Sequence, residues 1–480
     1  MSKVSDYLDR WEAVIGLEVH VQLSSKTKMF TASEWSYGES PNTQTCPITL
    51  GYPGTLPTIN ISAVKKGITV GLSLNCNINN ITKFSRKHYF YPDLPKGYQI
   101  TQFDSPLCEN GYIDLDENKK VRIIRAHLEE DAGKTIHTLE GNALIDYNRC
   151  GAPLLEIVSA PDMSSAEDAL GYLKSLKEIV IMVGASDCDM EKGNLRVDLN
   201  ISVMPKGSKE LGTRREVKNV NSFKNIEKAI HYEFISQCEK IEAGNKIDQE
   251  TLLWDDKNSV TRSIRTKEEA HDYRYFPEPD LPPLKISNEL IEEIKENIPE
   301  LPNEIRDNLS SKHSLKSDQI DFLIANRDLL NYYKMMCNDS LDNSQKYFNW
   351  LSIDVVKYLK DNRLGITEFP IEAKELKKLV DLEAQKRINH SSAKKVFLEI
   401  LDTEKSFDEI ISSLPSKKDS SNELAAYIES VLQENKNEHE RLLNGETKLI
   451  NFFIGVIMKG SKGKYSPSDI TKYLNEKFNV

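Results

Sequence analysis

Between Leu17 and Leu23 the chain alternates strictly: Leu17, Val19, Val21 and Leu23 are apolar, and Glu18, His20 and Gln22 fall between them. A period of two is the mark of a β-strand, whose successive side chains point to opposite faces. One face of this strand therefore carries a carboxylate and an imidazole two residues apart, a donor pair suited to a divalent cation. A half-exposed antiparallel strand with its polar face in water gives the same local pattern, so the other strands decide. In RIIRAHLEEDAGK, His127, Glu129 and Asp131 share a phase, and in NLRVDLNISV, Arg196, Asp198, Asn200 and Ser202 do. Glu156 interrupts the apolar run APLLEIVSAPD, and Arg214, Glu216 and Lys218 are in register in TRREVKNVNSF. Carboxylates stacked on one face repel unless a cation or ligand compensates. The repeated pattern points to a metal–phosphate site.

A second cluster lies in KFSRKHYFYPDLPKGYQITQ: Lys83, Arg86, Lys87 and His88 precede Tyr89, Phe90 and Tyr91, and Lys96, Tyr98 and Gln99 follow a Pro-Asp turn. Basic groups interleaved with aromatics can clamp phosphates and stack on a base; an ordinary loop with anchoring aromatics is the alternative. In DYNRCGAPLLEIV, Asn148 and Arg149 precede Gly151, where the backbone turns with positive φ or closely approaches another group.

These residues must be positioned by a chain of 480 residues, enough for two to four domains. A net charge of −11 argues against a globally basic nucleic-acid binder and leaves room for a local basic patch. The seven cysteines are scattered and never spaced C-x-x-C, which suits reduced thiols in a cytoplasmic protein rather than a disulfide framework. The N-terminus lacks the apolar core of a secretory signal, and no segment approaches the roughly 18 apolar residues of a membrane span.

The pattern predicts an α+β fold: a large mixed-sheet domain over 1–292, then helical modules over 293–408 and 409–480. In the first, Ser165 with Asp168 caps a helix carrying Leu170, Leu173, Leu176 and Val180 as far as Gly184. Another helix starts after Ser222 and runs through Ile226, Ile230 and Phe234 to Gly244. After the Pro-dense YFPEPDLPPLKIS the chain becomes rich in Lys, Glu, Leu and Ile and nearly free of Gly. Near its end, Lys459, Lys462 and Lys464 sit among Gly460 and Gly463 before Ser466-Pro467, an N-cap and first helical residue. A basic loop leading into a helix N-terminus suits the phosphates of a nucleic-acid backbone. A solvated lysine loop is the plainer alternative.

No phosphate-binding loop of the G-x-x-x-x-G-K-[ST] type, dinucleotide fingerprint or G-x-S-x-G elbow is present. ATP, if used, would be held through carboxylate-bound Mg²⁺. The motifs VIGLEVHVQL, YFYPDLPKGYQITQ, HLEEDAGK, DYNRCGAPLLEIVSAPD, GTRREVKNVNSF and DYRYFPEPDLPP, in this order, resemble those of the GatB family, the B subunits of tRNA-dependent amidotransferases. NFFIGVIMKGSKGKYSPSDI is similar to the family's tail module.

The resemblance implies a subunit that works with a glutaminase subunit, GatA, and a third subunit, GatC, on misacylated Glu-tRNA(Gln) or Asp-tRNA(Asn). The large domain would phosphorylate the side-chain carboxylate with ATP, and ammonia channelled from the glutaminase would then displace phosphate. It places Glu18, His20, Glu129 and Glu130 at the metal, Glu216 among the acidic catalytic positions with Glu18 and Glu130, and Lys87 where the ammonia passage meets the pocket. Tyr89, Tyr91, Glu156 and Arg149 fall to ATP. Glu129 and Glu130 are adjacent, so both can reach a metal only if the strand twists or bulges there, for which Gly133 offers room. Many members carry two cysteines where this chain has Cys46 and Thr49, which puts a structural zinc in doubt. A non-catalytic tRNA-binding adaptor and a stand-alone ATP-dependent ligase remain alternatives.

Overall fold

A computed structural model of the chain describes residues 2–115, 119–138, 140–266, 270–338, 340–403, 407–412, 417–461, 465 and 467–478. Two compact units emerge, Met1–Ile305 and Arg306–Val480. Together they are α+β: a large mixed sheet in the first part, helices after it.

The sheet of the first unit has nine strands, here β1 (Trp11–Gln22), β2 (Asn77–Ile78), β3 (Cys108–Asp114), β4 (Lys120–Glu130), β5 (Pro153–Ser159), β6 (Leu195–Pro205), β7 (Arg215–Lys218), β8 (Glu250–Asp255) and β9 (Val260–Thr266). Their order is β9-β8-β7-β6-β1-β5-β4-β3-β2, antiparallel except for the parallel pair β7/β8. The strand that opens the chain is thus central, flanked by β6 and β5. Its apolar phase, Leu17, Val19 and Val21, is at most 1% exposed, and Leu155, Ile157, Val197, Leu199 and Ile201 on its neighbours share the same core. Each such side chain contributes roughly 1.5–3 kcal/mol by leaving water.

Helices α1 (Ile61–Ser73), α2 (Ala166–Met182) and α3 (Phe223–Glu242) put Val64, Ile68, Leu173, Leu176, Val180, Ile226, Ile230 and Phe234 into that core. The expected caps form. Ser165 and Asp168 make a reciprocal capping box, and Ser222 Oγ accepts from Asn225 N. Gly184 (φ +66°) and Gly244 (φ +78°) take left-handed conformations just past the two helices. All seven cysteines are free thiols.

Gly111 on β3 shows how close the packing is. A Cβ there would collide with Cys76 Sγ and come within 2.6 Å of the Leu74 carbonyl oxygen. Because one obstacle is backbone, Gly111→Ala is expected to destabilise the unit by about 1–3 kcal/mol in urea titration; an unshifted midpoint would show that the hairpin can give.

The second unit is helical, with no strand among its described residues. Leu424, Ile428 and Leu432 of the Lys417–Glu434 helix, Phe453 and Ile457 of Leu449–Gly460, and Ile470 and Leu474 of Pro467–Phe478 form a hydrophobic cluster of their own. The basic loop expected here is partly helix. The Leu449–Gly460 helix runs on through Lys459 and Gly460, because its apolar positions Ile450, Phe453 and Ile457 stay at helical spacing and Gly460 lets the backbone pass Tyr427 Oη, which would clash with a Cβ. Lys462, Lys464 and Ser466 lie outside the described residues; the following helix starts at Pro467, as expected. No helix among the described residues is long and apolar enough to cross a membrane.

Candidate functional site

The face of the sheet opposite its apolar core gathers the polar phases of four strands. Cross-strand register aligns them: Arg196 on β6 stands opposite His20 on β1, His20 opposite Glu156 on β5, and Glu156 opposite His127 on β4. One pleat along, Asp198 stands opposite Glu18, and on the other side Gln22 and Glu129 flank Leu154. Side chains directly opposite on one face are neighbours. The result is a lattice of acids and bases.

His20 is its centre. Its Nε2 lies 3.4 Å from Glu156 Oε2, 3.7 Å from Glu129 Oε1 and 3.7 Å from Glu18 Oε1. His127 Nε2 is 3.6 Å from Glu156 and 3.9 Å from Glu129. Glu129, Glu156 and His127 are buried, and Thr101 Oγ1 donates to Glu129 Oε2 at 3.2 Å. Two sets of donor atoms lie within 4.8 Å of one another: Glu18, His20 and Asp198, and His20, Glu129 and Glu156. Oxygen donors with a single imidazole are a hard set, which fits Mg²⁺ or Mn²⁺ better than a thiolate-seeking metal.

Burial and neighbours set the charges. Burial, with repulsion from Glu156, raises Glu129 to about 7 and pushes Glu18 upward as well. Burial also opposes ionisation of Glu156, but His127 and His20 outweigh it and hold that carboxyl well below the usual range. For His20, burial favours the neutral ring, yet its hydrogen bond to Glu156 and the three surrounding carboxylates lift it to about 9; His127 is drawn down to about 4 by burial. Two carboxyls held above their ordinary values beside one held below are a site short of positive charge.

Part of the compensation comes from the protein. Lys218 Nζ pairs with Asp198 at 2.5 Å and Glu216 at 2.8 Å, and Arg196 Nη2 donates to Asp131 Oδ2 at 2.8 Å. Lys87 enters from the short strand Ser85–His88, its ammonium 4.8 Å from the centre of the Tyr273 ring. Burial lowers its affinity for a proton, but Tyr275, Glu156 and Glu129 reverse the effect and keep it charged.

The structure brings Glu18, His20, Glu129 and Glu156 together, with Lys87 beside them. It separates Glu130. The β4–β5 ladder runs without a bulge through Glu130, its one irregularity lying at Val158/Ser159, so the adjacent glutamates point to opposite faces. Glu130 is buried against Lys96 and accepts from Ile100 N at 2.9 Å. Gly133 relieves another constraint, since a Cβ there would lie 2.9 Å from the Asp146 carbonyl oxygen.

Glu216 is tied to Lys218 at 2.8 Å, and Thr251 Oγ1 also donates to it. Arg149 is occupied by the carbonyl oxygens of Ala132 and Gly133, at 3.1 and 2.6 Å, and lies 3.4 Å from Asp131. Gly151 after it takes φ +85°. Tyr89 packs edge-on to Tyr91, which is 53% exposed. Arg86, part of the basic–aromatic cluster, is paired within the chain: strand alternation points it away from Lys87, and Glu278 grips it at 2.8 and 2.9 Å. Cys46 Sγ is bounded by the hydroxyls of Thr31 and Thr49, each at 3.3 Å. Asp198 and Arg196 are additions to the site; their signal was the shared phase of NLRVDLNISV with Glu18 and His20.

Comparison with known proteins gives matches over nearly the whole chain. The family model of the GatB/GatE catalytic domain matches residues 13–292, and that of the GatB domain of the Yqey type matches 331–478. The chain is 44% identical over 474 residues to the B subunit of the aspartyl/glutamyl-tRNA(Asn/Gln) amidotransferase of Coxiella burnetii (strain CbuG_Q212), covering 97% of this chain and 99% of that protein. To the proteins of the same name from Thermodesulfovibrio yellowstonii and Persephonella marina it is 43% identical, over 97% of this chain and 98% and 99% of theirs.

Proposed function

This chain belongs to the GatB/GatE family, and from that membership we propose that it is the B subunit of an amidotransferase acting on Glu-tRNA(Gln), Asp-tRNA(Asn) or both. It activates the side-chain carboxylate of the misacylated residue with ATP and replaces the activated oxygen with ammonia from a glutaminase subunit, GatA, in a complex with GatC in the cytoplasm. The observation that carries this reading is the buried acid cluster around His20. A tRNA-binding adaptor has no use for three glutamates and two imidazoles whose mutual repulsion is only partly balanced. A stand-alone ligase would need its own source of ammonia.

Glu18, His20, Asp198, Glu129 and Glu156 would hold Mg²⁺, which when bound supplies positive charge against the triphosphate and the carboxylate. The substrate carboxylate is already nucleophilic at neutral pH, so no base is required of the protein. Lys87 and the aromatic groups at Tyr89, Tyr273 and Tyr275 border the pocket where ammonia would arrive. In the remainder of the chain, two modules over 293–408 and 409–480 carry the tRNA, with Lys459, Lys462 and Lys464 on its phosphates.

Reconstituted with its partners, the chain should convert misacylated tRNA to the amide only with ATP, Mg²⁺ and glutamine or ammonia all present. Amide formed without ATP, or none from either tRNA, would overturn the reading. Lys87→Ala is expected to uncouple the half-reactions, so that several glutamines are consumed per amide formed. An unchanged ratio with a raised ATP requirement would instead make Lys87 a phosphate ligand.

A further inference from the structure

Three buried nitrogens on the polar face lack a hydrogen-bond partner among the described residues: Arg196 Nε, Gln22 Nε2 and His127 Nδ1. They are not scattered. Arg196 stands opposite His20, His127 opposite Glu156, and Gln22 next to His20 on the same side of β1. A buried donor without an acceptor is costly, and native structures keep such groups mainly where a ligand or water completes them. The neutral His127 ring needs only one of its nitrogens to donate, but Arg196 Nε and the Gln22 amide are obligate donors, and an acceptor for them comes from outside the chain.

Arg196 is the best defined of the three. Its Nη2 is tied to Asp131, which is buried, itself 3.4 Å from Arg149 Nε, and anchored by Asp131 N donating to the Ala152 carbonyl. The guanidinium is therefore fixed in place with Nε left over. It stands opposite His20 and one pleat from the Asp198–Glu18 pair, which places it among the candidate metal ligands. A lysine could balance those carboxylates equally well; a planar fork with one edge pinned and Nε unused is built for a tetrahedral or trigonal oxyanion.

We propose that Arg196 binds the phosphoryl group as it moves in the reaction assigned above, with Nε donating to a non-bridging oxygen and the Gln22 amide as a second donor. The inference rests on that assignment. As the γ-phosphorus bonds to the substrate carboxylate oxygen, its bond to the bridging oxygen breaks, and that oxygen leaves with the electron pair as ADP. No proton moves, so a fixed cation is what the step demands. Asp131 is a positioning residue that holds Arg196 and does not touch the phosphoryl group.

The test compares Mg·ADP with Mg·ADP plus aluminium fluoride, a mimic of the phosphoryl group in flight, binding to the reconstituted complex by calorimetry. Wild-type enzyme should bind the mimic much more tightly than ADP alone. Arg196→Lys and Arg196→Ala should bind Mg·ADP within about twofold of wild type yet lose about 100-fold in affinity for the mimic, the scale of a removed oxyanion donor. Arg196→Lys, which keeps the charge, guards against a folding defect in the alanine variant, and thermal melting of both checks it. If Arg196→Lys binds the mimic as wild type does, the arginine only balances charge and the proposal falls. Wild-type enzyme that binds neither ADP nor the mimic overturns the phosphoryl-transfer reading itself.

Discussion

Replacing Glu156 by Gln is expected to lower ATP-dependent amidation about 10²–10³-fold while glutamine hydrolysis in the same complex continues. The side chain is buried between His20 and His127 and is held ionised by them. Glutamine keeps its shape and removes its charge. The fold should tolerate the change, because two effects oppose each other: His20 loses its nearest anion, but Glu18 and Glu129, both pushed upward by Glu156, are relieved of repulsion. Thermal melting should therefore move little. The Mg²⁺ concentration for half-maximal tRNA-dependent ATP cleavage should rise sharply. Near wild-type amidation at ordinary Mg²⁺ would sink the metal assignment for this residue.

What the sequence disclosed and what it hid follow from range. Alternation is local, so the shared phases of Glu18 with His20, of His127 with Glu129, and of Arg196 with Asp198 are legible in the strings themselves. Helix starts at Ser165 and Ser222 are equally local, since a cap is satisfied within three residues. Strand order is not. Nothing near residue 20 says that β1 lies between strands beginning at Pro153 and Leu195. Hence the acids could be seen to share a phase, while the cations that partly balance them, Lys218 and Arg196, could not be assigned to them. The same short range left the basic–aromatic cluster undivided. Arg86 is claimed by Glu278, 192 positions away. Lys87, one residue on, keeps the other face of its strand and so faces the site.

Glu130→Gln is expected to act differently, through stability. The resemblance put Glu130 at the metal beside Glu129, which a bulge would have allowed, but the regular ladder sends it to the other face, where it meets Lys96. Both side chains are nearly buried, at 4% and 7% exposure. A buried pair gains little over apolar residues of the same size, yet removing one partner strands the other charge, at a cost of about 3–5 kcal/mol. Against a total stability of roughly 5–15 kcal/mol that is a large share. Glutamine can still accept the hydrogen bond from Ile100 N, so the loss isolates the charge of Lys96. Urea titration should show the midpoint falling accordingly, and Lys96→Met combined with Glu130→Leu should recover much of it, because the pair then leaves together. Amidation per folded molecule should stay close to wild type under conditions where Glu130→Gln is folded. The reverse result, a wild-type urea midpoint with amidation abolished, would put Glu130 back in the chemistry and require the end of β4 to rearrange when substrate binds.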